Sequence, residues 1–334
     1  MDGSDAGMLH RRAVVLDAHI DTVLDIVKGR DILVRSDQGH VDLPRLEEGG
    51  VDVQVFALFI EPEYKPERAL AQVLRLWDAL HRTIDSARGR MALVTSELDL
   101  DRALAAGRLA AILSVEGGEA IGQDLANLRV LAALGVRAMG LTWNERNAIA
   151  DGAGEAADCG GLTRFGRQVV HQMHQLGMVV DVSHLNERSF WDVLGCAEGP
   201  IIASHSNARA LCDHPRNLRD EQIVALAKAG GVMGMNFYAD FLTSSGPQAA
   251  DIEQVVRHID HISELVGPGH VGLGSDFDGI SRTPRGLEDA SRFPALTAAL
   301  LHHGYSDDHI IGILGGNFLS VFRRALRSAA AAPI

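Results

Sequence analysis

Eight short apolar runs, each followed by a stretch of helical pattern, constrain the fold of this chain more than any other feature. They lie at Ala13–Asp17, Val51–Ile60, Ala110–Val115, Val136–Leu141, Met178–Val182, Pro200–Ala203, Gly231–Met235 and His270–Leu273. Near-continuous apolar runs of this length suit strands buried on both faces, as in parallel sheets. Helices are predicted between them, at Leu43–Gly49, Glu67–Ala87, Glu97–Ala106, Leu125–Leu134, Arg164–Leu176, Glu187–Leu194, Asp220–Ala229 and Ile252–Val266, with closing helices over Glu288–Leu326. In the longest, Leu70, Val73, Leu74, Trp77 and Leu80 share one face. Asp124 and Thr163 precede their helices as N-caps. The alternation predicts an α/β fold, a (β/α)8 TIM-like barrel. An open doubly wound sheet is the rival, but no Gly-x-Gly-x-x-Gly opens a helix after the first strand. With no repeat and no linker, residues 1–334 are read as a single domain.

Composition narrows the function. The 334 residues are 46% hydrophobic and carry a formal net charge of −13. A chain of this size buries roughly three quarters of its unfolded surface. The acidic balance, with only the isolated pairs Arg11-Arg12 and Arg323-Arg324, predicts no nucleic-acid partner. No apolar run is long enough to span a bilayer, and the polar start Met1-Asp2-Gly3-Ser4-Asp5 has no signal-peptide pattern. Cys159, Cys196 and Cys212 have no close spacing and suit a reducing compartment. The expectation is a soluble cytoplasmic protein with no membrane partner.

In a barrel, chemistry sits at the C-terminal ends of the strands. The first run leads to His19 and Asp21, two residues apart and so on one face of a strand. The third ends in Ser114-Val115-Glu116-Gly117-Gly118, the fifth in Asp181-Val182-Ser183-His184, the sixth in Ser204-His205-Ser206 and the eighth in Gly274-Ser275-Asp276-Phe277-Asp278-Gly279. Each alone has an ordinary explanation, such as a polar turn or a satisfied core histidine. Their joint occurrence at strand ends points to one divalent-metal site built from imidazole and carboxylate. His171-x-x-His174 and His258-x-x-His261 fall on predicted helices and are read as solvated faces; His302-His303 is read as surface.

These motifs, together with Gly161-Leu162-Thr163-Arg164-Phe165-Gly166 and Leu176-Gly177-Met178, resemble the membrane (renal) dipeptidase family of zinc peptidases over about Val14 to Phe322. The likeness is to a soluble member of bacterial type. It implies a metal-dependent hydrolase barrel with two Zn²⁺ per chain, Mn²⁺ or Co²⁺ being substitutes. His19 and Asp21 would bind one ion, His184 and His205 the other, and Glu116 would bridge both. Two ions about 3.5–4 Å apart can share a water and lower its pKa toward neutrality. The resemblance further implies that Arg216, in His214-Pro215-Arg216-Asn217, and Tyr238 bind the terminal carboxylate of a small dipeptide-like substrate. In the implied mechanism a metal-bridging hydroxide attacks the peptide carbonyl, and Asp276 passes the proton to the leaving amine. The family hints at a homodimer, which no patch in this sequence supports.

One position departs from the pattern. Where mammalian members carry a histidine that steadies the oxyanion, this chain has Trp143, within Leu141-Thr142-Trp143-Asn144-Glu145-Arg146-Asn147. Tryptophan offers one N–H and no charge; Asn144 and Arg146 are the neighbouring donors that could replace it. The favoured reading is a dizinc dipeptidase acting on substrates with a free C-terminal carboxylate. The alternative is a related binuclear amidohydrolase acting on another small amide, lactam or modified amino acid. A third, of another class, is a metal-binding barrel without catalysis.

Overall fold

The computed structural model describes residues 3–156 and 159–331. Sequence readings that touch residues 1–2, 157–158 and 332–334 lie outside the described residues. Among the described residues there are nine parallel strands: β1 (Val15–Ile20), β2 (Val51–Phe59), β3 (Met91–Leu93), β4 (Leu109–Glu116), β5 (Val136–Gly140), β6 (Val179–Asp181), β7 (Ile201–Ala203), β8 (Val232–Met235) and β9 (Val271–Leu273). Eight of them close a ring in the order β2-β1-β9-β8-β7-β6-β5-β4, with β4 pairing back onto β2. The eight predicted runs are these eight strands. The ninth, β3, pairs with the start of β4 (Met91 opposite Leu109) and stands outside the ring. No strand is predicted at these residues from the sequence.

The helices follow the predicted order. Asp124 and Thr163 cap as expected, their side chains accepting from the N–H groups of Ala126 and Gly166. An added helix, Gly3–Arg12, precedes β1. The barrel interior is filled by Leu16, Ala18, Val53, Val55, Ala110, Ile112, Ala138, Val179, Ile202 and Val232. Phe318, Phe322 and Leu326 of the last helix, Asn317–Ala331, join the same cluster. Gly272 makes room for this: a Cβ there would come within 2.3 Å of the Phe318 ring. The opposite end, where the strands finish, is left open for a site.

β1 departs from simple alternation. Asp17 pairs with Gln54 and Ile20 with Phe56, so three steps on β1 match two on β2. Leu16 and Ala18 belong to the interior cluster while Ile20 belongs to the outer one. This bulge turns His19 into the barrel mouth, and β1 runs three residues beyond its predicted end.

His258 corrects a second expectation. It is buried rather than solvated, at 1% exposure. Its Nδ1 accepts from the N–H of Ala208 and its Nε2 donates to the carbonyl of Leu242, each at 3.0 Å. It thereby ties the loop after β7 to the loop after β8. Its helix mate His261 reaches Asp220 at 2.9 Å, and His174 is partly buried, accepting from the N–H of Glu198. Burial pushes the His258 pKa from 6.5 down to about 4. A histidine held neutral in the fold favours the native state above its unfolded pKa and loses that advantage as pH falls toward its folded one. The expected loss is roughly 3 kcal/mol between pH 6.5 and 4. Denaturant titrations across that window should show His258→Asn with a shallower pH slope, by close to one proton. Equal slopes in both proteins would contradict this. Among the described residues, no helix is long and apolar enough to cross a membrane.

Candidate active site

The strand ends bring the predicted residues together. Glu116, the last residue of β4, stands at the centre. Its Oε2 lies 3.2 Å from His19 Nε2, and its Oε1 lies 3.0 Å from His184 Nε2 and 3.9 Å from His205 Nε2. Asp21 Oδ2 is 3.4 Å from His19 Nε2. The two oxygens of one carboxylate therefore face two groups of donors, His19 with Asp21 and His184 with His205. Asp276 completes a further triad with His19 and Asp21. All six residues are buried or nearly so.

Hydrogen bonds behind the site fix which imidazole nitrogens carry protons. His184 Nδ1 donates to Asn144 Oδ1 at 2.9 Å. Ser204 Oγ donates to Asp181 Oδ2, so its oxygen accepts from His205 Nδ1, at 2.7 Å. Both Nε2 atoms are then bare lone pairs, and they stand 2.9 Å apart beside a carboxylate oxygen. His19 Nε2 and Asp21 Oδ1 are buried with no hydrogen-bond partner. Unpartnered acceptors converging in a buried space are costly unless a cation lies among them. Two imidazoles on one side, an imidazole and a carboxylate on the other, and no thiolate form a donor set that fits Zn²⁺.

The same supporting device occurs twice. Asp17 accepts from the N–H and hydroxyl of Ser275 and from the N–H of His19. Asp181 accepts from the N–H and hydroxyl of Ser204 and from the N–H of Ser183. Each carboxylate thus stitches a strand end that carries a candidate donor to a neighbouring one, the kind of outer support that orients metal ligands. Sequence reasoning quoted these residues without giving them a role. The signal was an Asp two or three residues before His19 or His184, and a Ser directly before His205 and Asp276.

Electrostatics follow the packing. Burial, with the Arg216 guanidinium and despite Glu116, pushes His184 down to about 3, so it stays neutral and able to ligate. Burial would raise Glu116, but His19 and His184 together hold it well below the usual carboxylate range. Asp276 is raised by burial, with His19 opposing and Glu116 adding to the rise. Its Oδ2 accepts from Asn236 Nδ2 at 2.8 Å.

A cavity of about 580 Å³ opens onto these groups, lined among others by Glu116, His184, Asp276, Arg216, Tyr238 and Trp143. Arg216 is 5% exposed. It donates to the His205 carbonyl at 3.0 Å, yet among the described residues no carboxylate lies within ion-pair distance of it. Its charge is free for an anionic ligand. Tyr238 lines the same wall, edge-on to Phe241 at 4.8 Å. The two donors considered as replacements for an oxyanion histidine are engaged elsewhere: Asn144 holds His184, and Arg146 turns outward to Asp151 at 3.3 Å. Trp143 is edge-on to Phe59 at 5.3 Å, with its ring 6.1 Å from that of His184. The three cysteines are free thiols.

Comparison with known proteins agrees with this arrangement. A model of the membrane dipeptidase family (peptidase family M19) matches residues 4–333. The dipeptidase aclJ of Aspergillus oryzae is 35% identical over 292 residues, covering 85% of this chain and 69% of that protein. An uncharacterised dipeptidase of Schizosaccharomyces pombe is 37% identical over 303 residues, covering 85% and 72%. Among solved structures, a metallo peptidase of Rhodobacter sphaeroides liganded with a phosphinate mimic of the dipeptide L-Ala-D-Ala superposes with a TM-score of 0.88. It is 32% identical, covering 94% of this chain and 99% of that one. The probable dipeptidase PvdM of Pseudomonas aeruginosa gives 0.90 at 25% identity, covering 98% and 99%. A closed parallel barrel, a strand-end cluster of metal donors and these matches across nearly the whole chain place it in the membrane dipeptidase family, as a hydrolase of the metallopeptidase kind.

Proposed function

We propose that this chain is a dizinc dipeptidase that cleaves dipeptides bearing a free C-terminal carboxylate. The observation that carries the reading is Glu116, whose two oxygens face two separate sets of metal-donor side chains. His19, Asp21 and Glu116 Oε2 would hold one ion; His184, His205 and Glu116 Oε1 would hold the other. When bound, such a pair of ions supplies Lewis acidity and lowers the pKa of water so that a nucleophile exists near neutral pH. Arg216, buried and without an ion-pair partner among the described residues, anchors the substrate carboxylate, with Tyr238 beside it. Asp276, held by Asn236, takes the proton from the attacking water and delivers it to the amine as the C–N bond breaks. Donors from β1, β4, β6 and β7 and the acid after β9 meet only when the ring is closed, so the whole chain acts as one catalytic unit.

The purified protein with Zn²⁺ should hydrolyse members of a dipeptide library. Arg216→Met should lower kcat/KM on them by about a hundredfold, since a charged pair is lost in a buried site. No turnover of any dipeptide would overturn the reading. A second reading, an amidohydrolase of another small amide or lactam, draws on Trp143, which leaves the site without a charged oxyanion donor. It predicts a substrate lacking the α-carboxylate that turns over faster than any dipeptide and tolerates Arg216→Met.

A further inference from the structure

Phe59 stands across the mouth from β7, the strand before the carboxylate anchor, and Trp143 packs edge-on to it at 5.3 Å. Arg216 follows β7 and Phe59 ends β2, and these strands stand four places apart in either direction around the eight-membered ring. Trp143 follows β5, two strands beyond β2 by way of β4, and both rings line the cavity. An extended residue spans about 3.3–3.6 Å. On the dipeptidase reading, a dipeptide with its carboxylate at Arg216 and its peptide bond beside Glu116 has its N-terminal residue on the side of Phe59 and Trp143.

The chemistry behind the wall is unusual. Lys65 Nζ stands 5.0 Å from the Trp143 ring centre and 5.7 Å from that of Phe59. It does not line the active-site cavity but a separate one of about 640 Å³. Its side chain is 11% exposed and pairs with Glu119 at 3.5 Å and Glu145 at 3.2 Å. The cation thus draws on the π electrons of the rings from behind, leaving their cavity side less attractive to a second cation. What remains there is flat apolar surface.

Resting on the dipeptidase reading, we infer that Phe59 and Trp143, braced by Lys65, form the pocket for the substrate's N-terminal side chain and select apolar or aromatic residues over cationic ones. Trp143 is then a specificity-determining residue.

The test is kcat/KM for two dipeptide series, X–Ala and Ala–X, with X as Ala, Leu, Phe or Lys, supplemented by calorimetric titration with phosphinate analogues of Phe–Ala and Ala–Ala. Wild type should favour Phe–Ala and Leu–Ala over Lys–Ala. Trp143→Ala and, independently, Phe59→Ala should each lower the Phe–Ala to Ala–Ala ratio by about tenfold or more. The analogue affinities should shift in parallel, and the ratios in the Ala–X series should hold. Lys65→Met, which leaves Glu119 and Glu145 without their counter-charge, should raise Lys–Ala relative to Leu–Ala by about threefold or more. Ratios unchanged in both ring variants, or a shift confined to the Ala–X series, would overturn this inference while leaving the dipeptidase reading intact. A wild type that neither hydrolyses any dipeptide nor binds either analogue would overturn the dipeptidase reading, and the inference with it.

Discussion

Glu116→Gln should lower kcat by about a thousandfold or more, and bound zinc should fall from two ions per chain to one or none. The substitution keeps the shape of the side chain and changes its chemistry. Glu116 offers an acceptor oxygen to each side, 3.2 Å from His19 Nε2 and 3.0 Å from His184 Nε2. An amide must turn an N–H donor toward one of them. Because His184 and His205 already spend their Nδ1 protons on Asn144 and Ser204, their Nε2 lone pairs would accept that donor and the cation would lose its place. The side chain is buried but makes no packing contact that glutamine cannot copy, so the variant should fold. Metal analysis after dialysis, with circular dichroism as the control, checks this. Two retained ions with kcat within tenfold of wild type would contradict it.

Asp276→Asn should lower kcat by about a hundred- to ten-thousandfold while leaving the metal content unchanged. The metal and the activity together distinguish two roles for this residue, because Asp276 also lies within reach of His19 and Asp21 as a donor. An acid–base residue leaves the ions in place when it is neutralised; a ligand does not. Asp276 adopts a left-handed backbone with φ of 64°, and Asp278 does likewise at 65°. Such conformations persist in non-glycine residues only where the surroundings enforce them. Here Asp278 is pinned by Thr22 Oγ1 at 2.7 Å, by Arg30 at 3.1 Å and by the N–H of His40. The turn that carries Asp276 is thereby clamped to the segment after β1. Loss of zinc in Asp276→Asn would reassign the residue as a ligand, and an unchanged kcat would remove it from the mechanism.

The fold was legible where buried parallel strands produce continuous apolar runs. All eight ring strands and the longer helices between them followed from that pattern, some to the residue, as at Glu187–Leu194 and Ile252–Val266; the short helices Val23–Val27 and Ala239–Leu242 did not. The convergence of His19, Asp21, Glu116, His184 and His205 followed from their positions at strand ends. What the sequence hid depends on tertiary partners. The Asp17–Ser275 link joins residues 258 apart, and nothing local marks it. The bulge in β1 comes from its pairing with β2 rather than from any turn residue in the strand. His258 shows helical spacing like any surface histidine and is buried only because the loops after β7 and β8 close over it. Asn144 and Arg146 look equally able to face the cavity, yet packing turns one to His184 and the other to Asp151.

The most direct measurement is anomalous diffraction at the zinc edge from crystals grown with Zn²⁺. The account predicts two peaks in each chain, flanking the Glu116 carboxylate, one between His19 and Asp21 and one between His184 and His205. A single peak, or peaks away from Glu116, would contradict it.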